Sequence, residues 1–220
     1  MLGDRIRMQE LAQDKGIYIR SMGSRGTLGG ISLATGDAVK ILDASGKDIV
    51  IVETVGVGQG EIDVTRFVHT IMLVGSPGMG DEIQAMKAGL MEIADIFVVN
   101  KADRDGADEA AREIEQGISI GVEASGSKTW RQPVIKTKAT VGEGIEELVK
   151  SIESHGSYLK ESGMFSNLVQ RHQSENVLAI VRHSFDVFIE GRVKDKAIKR
   201  DKDIYSAAEE ICRKYIKGFK

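Results

Sequence analysis

Short runs of apolar, mostly β-branched residues recur along the first two thirds of the chain, separated by stretches in which apolar positions return every three or four residues. The clearest runs are Ile49 to Val52, Thr70 to Val74, Ile96 to Val99 and Pro133 to Ile135, with a weaker one at Ile17 to Ile19. Their continuous apolar character suits strands covered on both faces, as in a parallel sheet. Between them, Met86, Leu90, Ile93 and Ala94 share one helical face from Asp81 to Ala94, and Ile145, Leu148, Val149 and Ile152 share another from Gly144 to Glu153. Strand and helix in alternation predict an α/β fold with a doubly wound, mostly parallel sheet. From Tyr158 the strand pattern stops. Amphipathic stretches carrying Leu168, Val177, Leu178, Ile180, Val181 and Phe185 follow, and a last helix is expected near Ala207 to Ile216. The expected division is an α/β domain over 1–157 and a helical appendage over 158–220.

Each apolar run ends in polar or glycine-rich residues: Glu53-Thr54-Val55-Gly56, Gly75-Ser76-Pro77-Gly78, Asn100-Lys101-Ala102-Asp103 and Thr137-Lys138-Ala139. In open parallel sheets ligands bind beyond the carboxyl ends of the strands, so these loops are expected to converge on one crevice.

Composition narrows what that crevice serves. The chain has 220 residues, 25 glycines against 2 prolines, and a formal net charge of -3. That is ordinary for a globular α/β protein and gives no cationic surface for nucleic acid or anionic lipid. One cysteine, Cys212, rules out an intramolecular disulfide, and no Cys/His cluster has metal-site spacing. His69, His155, His172 and His183 are dispersed, which suits surface or helix-packing roles. The charged start of the chain does not fit a signal peptide, and no stretch approaches the roughly 18 apolar residues of a membrane span, so a cytoplasmic location is expected.

Asn100-Lys101-Ala102-Asp103 directly follows a buried run. A carboxylate at Asp103 can accept from both N1–H and the exocyclic amino group of guanine, a pair of donors that adenine does not present. Asn100 can meet the N7 edge and tie the loop to its neighbours, and the aliphatic stem of Lys101 can cover the ring. A polar helix cap, with Asp103 as N-cap, would use the same residue types. Two other loops favour the ligand. A backbone N–H near Ala139, after Thr137 and Lys138, can reach guanine O6. Upstream, Glu53 at a strand end can hold magnesium through its water shell, and the Gly56 N–H can approach a γ-phosphate.

With these loops in this order, the chain resembles the MeaB/ArgK-type P-loop GTPases, chaperones of adenosylcobalamin-dependent acyl-CoA mutases such as methylmalonyl-CoA mutase. The resemblance runs from about Leu2 to about Ser157. It rests on Leu2-Gly3-Asp4-Arg5-Ile6-Arg7-Met8, the stretch from Arg20 to Gly30, Glu53-Thr54-Val55-Gly56-Val57-Gly58-Gln59-Gly60-Glu61, the stretch from Gly80 to Leu90, Asn100 to Asp103, and Thr137 to Leu148. The resemblance implies GTP or GDP as ligand, with Mg2+ near Asp4 and Glu53. It further implies switches at Ser21 to Gly30 and at Gly56 to Glu61, with Gln59 or Glu61 orienting the attacking water. Asp81, Gln84 and Lys87 would lie on a further switch facing the mutase, and the appendage would form a homodimer.

A phosphate loop needs G-x-x-x-x-G-K-[ST], whose stacked N–H groups and lysine neutralise phosphates. No segment supplies it. The nearest string, Gly121 to Thr129, has one serine too many and follows a helical stretch rather than a buried strand, and Gly23 to Gly30 has no following lysine. The resemblance therefore implies an N-terminally truncated or split enzyme whose phosphate loop comes from elsewhere, in the second case from a separate chain. Two other functions stay open: a protein that binds the mutase or a partner half without turnover, and a metal-insertion GTPase, which the dispersed histidines disfavour.

Overall fold

The computed structural model of the chain describes residues 8, 11, 13–23, 33–54, 64–78, 90–125, 130–193 and 203–215. The chain divides into two compact units, Met1–Gln173 and Ser174–Lys220.

The first unit contains a parallel sheet of three strands in sequence order: β1 (Met72–Gly75), β2 (Ile96–Asn100) and β3 (Val134–Thr137). Met72 lies beside Ile96 and Val74 beside Val98, while Phe97 lies beside Val134 and Asn100 beside Thr137. Because β2 is paired on both edges, its side chains alternate between two covered faces, and Ile96, Phe97, Val98 and Val99 are all buried. On one face Phe97 and Val99 pack with Ala94 and with Ala107, Ala110 and Ile114 of helix α2 (Ala107–Ser125). On the other, Ile96, Val98 and Ile135 meet Leu148 and Ile152 of α3 (Ile145–Glu161). Each large side chain so buried contributes about 1.5–3 kcal/mol. Small residues let the helices come close: a Cβ at Gly117 would stand 2.6 Å from the Met91 side chain.

This confirms the α/β fold with a parallel sheet, and it corrects two of the expected strands. Ile49 to Val52 belongs to no ladder, and Ile49 and Ile51 are 73% and 84% exposed. Ile17 to Ile19 is likewise outside the sheet. An apolar strand is stable only when its N–H and C=O groups find neighbours, and no described strand lies beside either run. A helix not foreseen, α1 (Leu33–Ala44), buries Gly36 against the ring of Phe67. The helix expected from Asp81 to Ala94 falls mostly outside the described residues, which show a single helical turn, Met91–Ile93.

At the amino ends of the strands a polar cluster pins α3 to the sheet. The Thr70 hydroxyl and His155 Nδ1 are 2.9 Å apart, and His155 Nε2 lies 3.4 Å from an Asp95 carboxylate oxygen. The other carboxylate oxygen accepts the Ile71 N–H at 2.8 Å, the Asp95 carbonyl accepts the Trp130 indole N–H at 3.0 Å, and the Trp130 and His155 rings lie 4.8 Å apart. A neutral imidazole protonated on Nε2 suits both partners. His155 is 2% exposed, and burial holds its pKa below the ordinary histidine value, with the Asp95 charge opposing.

The described residues beyond are helical. α3 continues through residue 158, Gly163 turns the backbone at φ 73°, and α4 (Met164–Val193) and α5 (Ile204–Tyr215) follow. No helix among the described residues is long and apolar enough to cross a membrane.

Candidate nucleotide site

Beyond the carboxyl ends of β2 and β3, two loops are fastened together by one side chain. Asn100 Oδ1 accepts the Thr137 hydroxyl at 3.1 Å and the Ala139 N–H at 3.2 Å, and the Ala102 N–H donates to the Thr137 carbonyl at 3.0 Å. Thr137 is 2% exposed, so its hydroxyl needs this partner. The expected proximity of Asn100, Thr137 and Ala139 is therefore observed. The Ala139 N–H, expected to face guanine O6, is engaged by Asn100 in this geometry and acts as a brace.

With its oxygen committed to two donors, Asn100 retains its amide N–H groups as donors for a purine N7. Lys101 stands in the left-handed region at φ 59°, the one non-glycine residue with positive φ among those described. A non-glycine residue there costs roughly 1–2 kcal/mol, and such strain is concentrated at functional loops. The left-handed step reverses the chain immediately after β2, and the Arg104 N–H closes the turn on the Lys101 carbonyl at 3.0 Å. Asp103 is exposed within this turn. It is not a helix cap, because α2 begins only at Ala107, directly after Gly106 at φ 86°. Its acidic side chain thus stands exposed on a braced loop and caps no helix among the described residues.

The β3 side is built as tightly. The backbone folds back so that the Lys138 N–H donates to the Glu143 carbonyl at 2.9 Å, and the Lys138 ammonium meets the Glu143 carboxylate at 2.7 Å. The reversal needs glycine at Gly142 and Gly144, at φ 76° and 79°, and a Cβ on Gly144 would collide with the Lys136 carbonyl. Outside the crevice, Lys136 reaches Asp108 in the first turn of α2 at 2.6 Å, and that ammonium holds the exposed Asp108 carboxyl below its usual range.

The phosphate side is less complete. Glu53 is described and exposed, but the run before it forms no strand, so it does not stand at a strand end as expected. Asp4, Gly56, Gln59 and Glu61 lie outside the described residues, as do Asp81, Gln84 and Lys87. No trio of His, Cys, Asp or Glu able to hold a metal occurs among the described residues. Magnesium in nucleotide sites needs only one or two carboxylates beside substrate phosphates and water, so Glu53 keeps the right donor chemistry. The rejected Gly121 to Thr129 string begins in the last turn of α2, where helical geometry offers no phosphate cradle.

The braced loop behind β2 offers the donors and acceptors that a guanine edge would meet, and comparison with known proteins supplies the family. A family model described as methylmalonyl Co-A mutase-associated GTPase MeaB matches residues 1–192. The chain belongs to the MeaB family. A Pyrococcus horikoshii relative, provisionally named a GTPase, is 44% identical over 98% of this chain and 70% of its own length. GTPase ArgK of Escherichia coli is 35% identical over 80% of this chain and 53% of its own length. The mitochondrial methylmalonic aciduria type A homolog of Mus musculus is 38% identical over 74% of this chain and 40% of its own length. Membership supports guanine nucleotides as ligands and a GTPase of the MeaB/ArgK type.

Proposed function

We propose that this chain carries the base-reading and switch portion of a GTPase that serves as chaperone to an adenosylcobalamin-dependent acyl-CoA mutase. The observation that carries the reading is the brace from Asn100 to Thr137 and Ala139, which fixes the loop that carries Asp103. Asp103 selects guanine by accepting from N1–H and the 2-amino group, the Asn100 amide donates to N7, and the Lys101 stem covers the ring. Glu53 and Asp4 would hold Mg2+, which supplies charge to the phosphates when bound. Gln59 or Glu61 would orient water beside the Gly56 N–H, so that catalysis consists of positioning and charge stabilisation. The mutase link is supported by the family description, and Asp81, Gln84 and Lys87 are the proposed contact.

The test is base selectivity. Asp103→Asn exchanges an acceptor for a donor, so the variant should lose GDP affinity at least tenfold and gain xanthosine diphosphate affinity by a similar factor in competition titrations. An unchanged guanine preference would defeat the assignment of Asp103.

A homodimer through the C-terminal helices is also proposed. Val177, Val181, Phe185 and Phe188 follow one another at helical spacing along α4 and are all exposed, a stripe that a second copy of the same helix would cover.

A further inference from the structure

The loop that carries Asp103 has two ends, and β3 reaches both. Its entrance is the brace described above, in which Thr137 and Ala139 meet Asn100 and the Thr137 carbonyl accepts the Ala102 N–H. Its exit is the start of α2, where the Ala110 N–H closes the first helical turn on the Gly106 carbonyl at 2.9 Å. Lys136 lies beside Val99 in register, and Val99 packs with α2. Residues paired across a sheet share a face, so Lys136 is carried toward the same helix. Its ammonium meets Asp108 Oδ1 at 2.6 Å.

With side chains 50% and 70% exposed, this pair contributes little to folding, since water screens it. What it fixes is a position. The buried contacts that seat this end of α2 begin with two alanines, Ala107 and Ala110, whose short side chains interlock with few atoms. The first large buried side chain of the helix, Ile114, stands roughly two turns beyond Ala107. The loop also has a reason to shift, because Lys101 is held at φ 59° and slippage at either end would relieve it. Asp103 precedes Asp108 by only five residues, so a displaced first turn of α2 displaces the base-reading carboxylate. An acidic residue in a first helical turn suits the positive end of the helix, which accounts for Asp108 but not for a lysine reaching it from a strand.

We infer that Lys136 and Asp108 are positioning residues for base recognition: their ion pair clamps the exit of the loop as Asn100 clamps its entrance, and the two clamps together hold Asp103 where a guanine edge requires it. The recognition role rests on the guanine reading proposed above. The clamp itself is measured without any ligand.

The full 220-residue chain is compared with Lys136→Met, with Asp108→Asn, and with the exchanged pair Lys136→Glu plus Asp108→Lys. Hydrogen exchange is read at the Ala102 and Arg104 amides, both hydrogen-bonded within the loop. Guanosine is the ligand probe, because it has no phosphate with which a lost lysine charge could interact. Each single variant should speed exchange at those amides by about threefold to tenfold, weaken guanosine binding by a similar factor, and barely move the urea midpoint. The exchanged pair should recover slow exchange and guanosine affinity while staying less stable than the wild type, since a lysine in the first turn opposes the positive end of α2 and stands near Arg112. Affinity that follows stability, with the exchanged pair weak in both, would overturn the inference. Unchanged exchange at Ala102 and Arg104 in both single variants would overturn the clamp, and faster exchange with unaltered guanosine affinity would overturn its positioning role. A wild-type chain that binds guanosine no better than adenosine defeats the guanine reading and the positioning role with it, and the exchange rates still decide whether the clamp exists.

Discussion

Asn100 holds the base loop through one oxygen, and the two halves of its amide group can be separated by mutation. Asn100→Ala removes the acceptor of a buried Thr137 hydroxyl and of the Ala139 N–H, so about 1–3 kcal/mol of stability should be lost in urea unfolding, along with more than tenfold in GDP affinity. Asn100→Asp keeps the acceptor and discards the donors. It should retain most of the stability and still lose the affinity, whereas equal losses in both variants would show that the side chain is only a brace. Gly144 offers a second test of the same loop. Gly144→Ala combines a left-handed φ with a collision against the Lys136 carbonyl, and a cost of about 2–4 kcal/mol is expected. A loss below about half a kilocalorie would mean that the β3 loop relaxes freely.

At the scale of elements, α3 is tied to the sheet at one end by the Thr70, His155 and Asp95 cluster and along its length by Leu148 and Ile152. Burial depresses the folded pKa of His155, so the unfolded chain binds the proton more readily. The stabilisation is therefore complete above the ordinary histidine value of 6.5 and is lost as pH falls from there toward the folded value. His69, also depressed by burial with Asp43 opposing, adds to the same window. Unfolding free energy followed from pH 8 to pH 5 should fall for the wild type and fall less steeply for His155→Gln, with His69→Gln as the control that separates the two. Identical slopes in the wild type and His155→Gln would remove His155 from the linkage.

The elements differ in how plainly the residues announce them. β2 was legible because a strand buried on both faces reads as an unbroken apolar run, β3 through its apolar start alone since Lys136 is exposed, and the turn after β2 because Asn100, Lys101 and Asp103 fall within one tetrapeptide. Ile49 to Val52 has the same composition and forms no strand, since composition reports a capacity for burial while a ladder also needs a neighbour. α1 escaped notice because Gly36, which lets it sit on Phe67, weakens the helical pattern. The His155 cluster joins residues 70, 95, 130 and 155, and no local pattern foretells that meeting. The brace from Asn100 to Ala139 could have been foreseen only as a need, because a loop that presents a carboxylate must be held by something.

For the whole molecule, Val177, Val181 and Phe185 form an exposed apolar stripe on α4 within the second unit. Val181→Asp combined with Phe185→Asp should convert a sedimenting dimer to monomer while GDP affinity stays unchanged. Unaltered sedimentation of the double variant would place the dimer contact elsewhere. One further consequence follows from the plain order of the sheet, in which each strand lies beside the one made just before it. A ribosome would release β1, then β2, then β3, and every arrival would find its template already waiting, so this sheet can be laid down during synthesis without long-range searching. Among the described strands, two seams stay open in that order, the outer side of β1 and the outer side of β3.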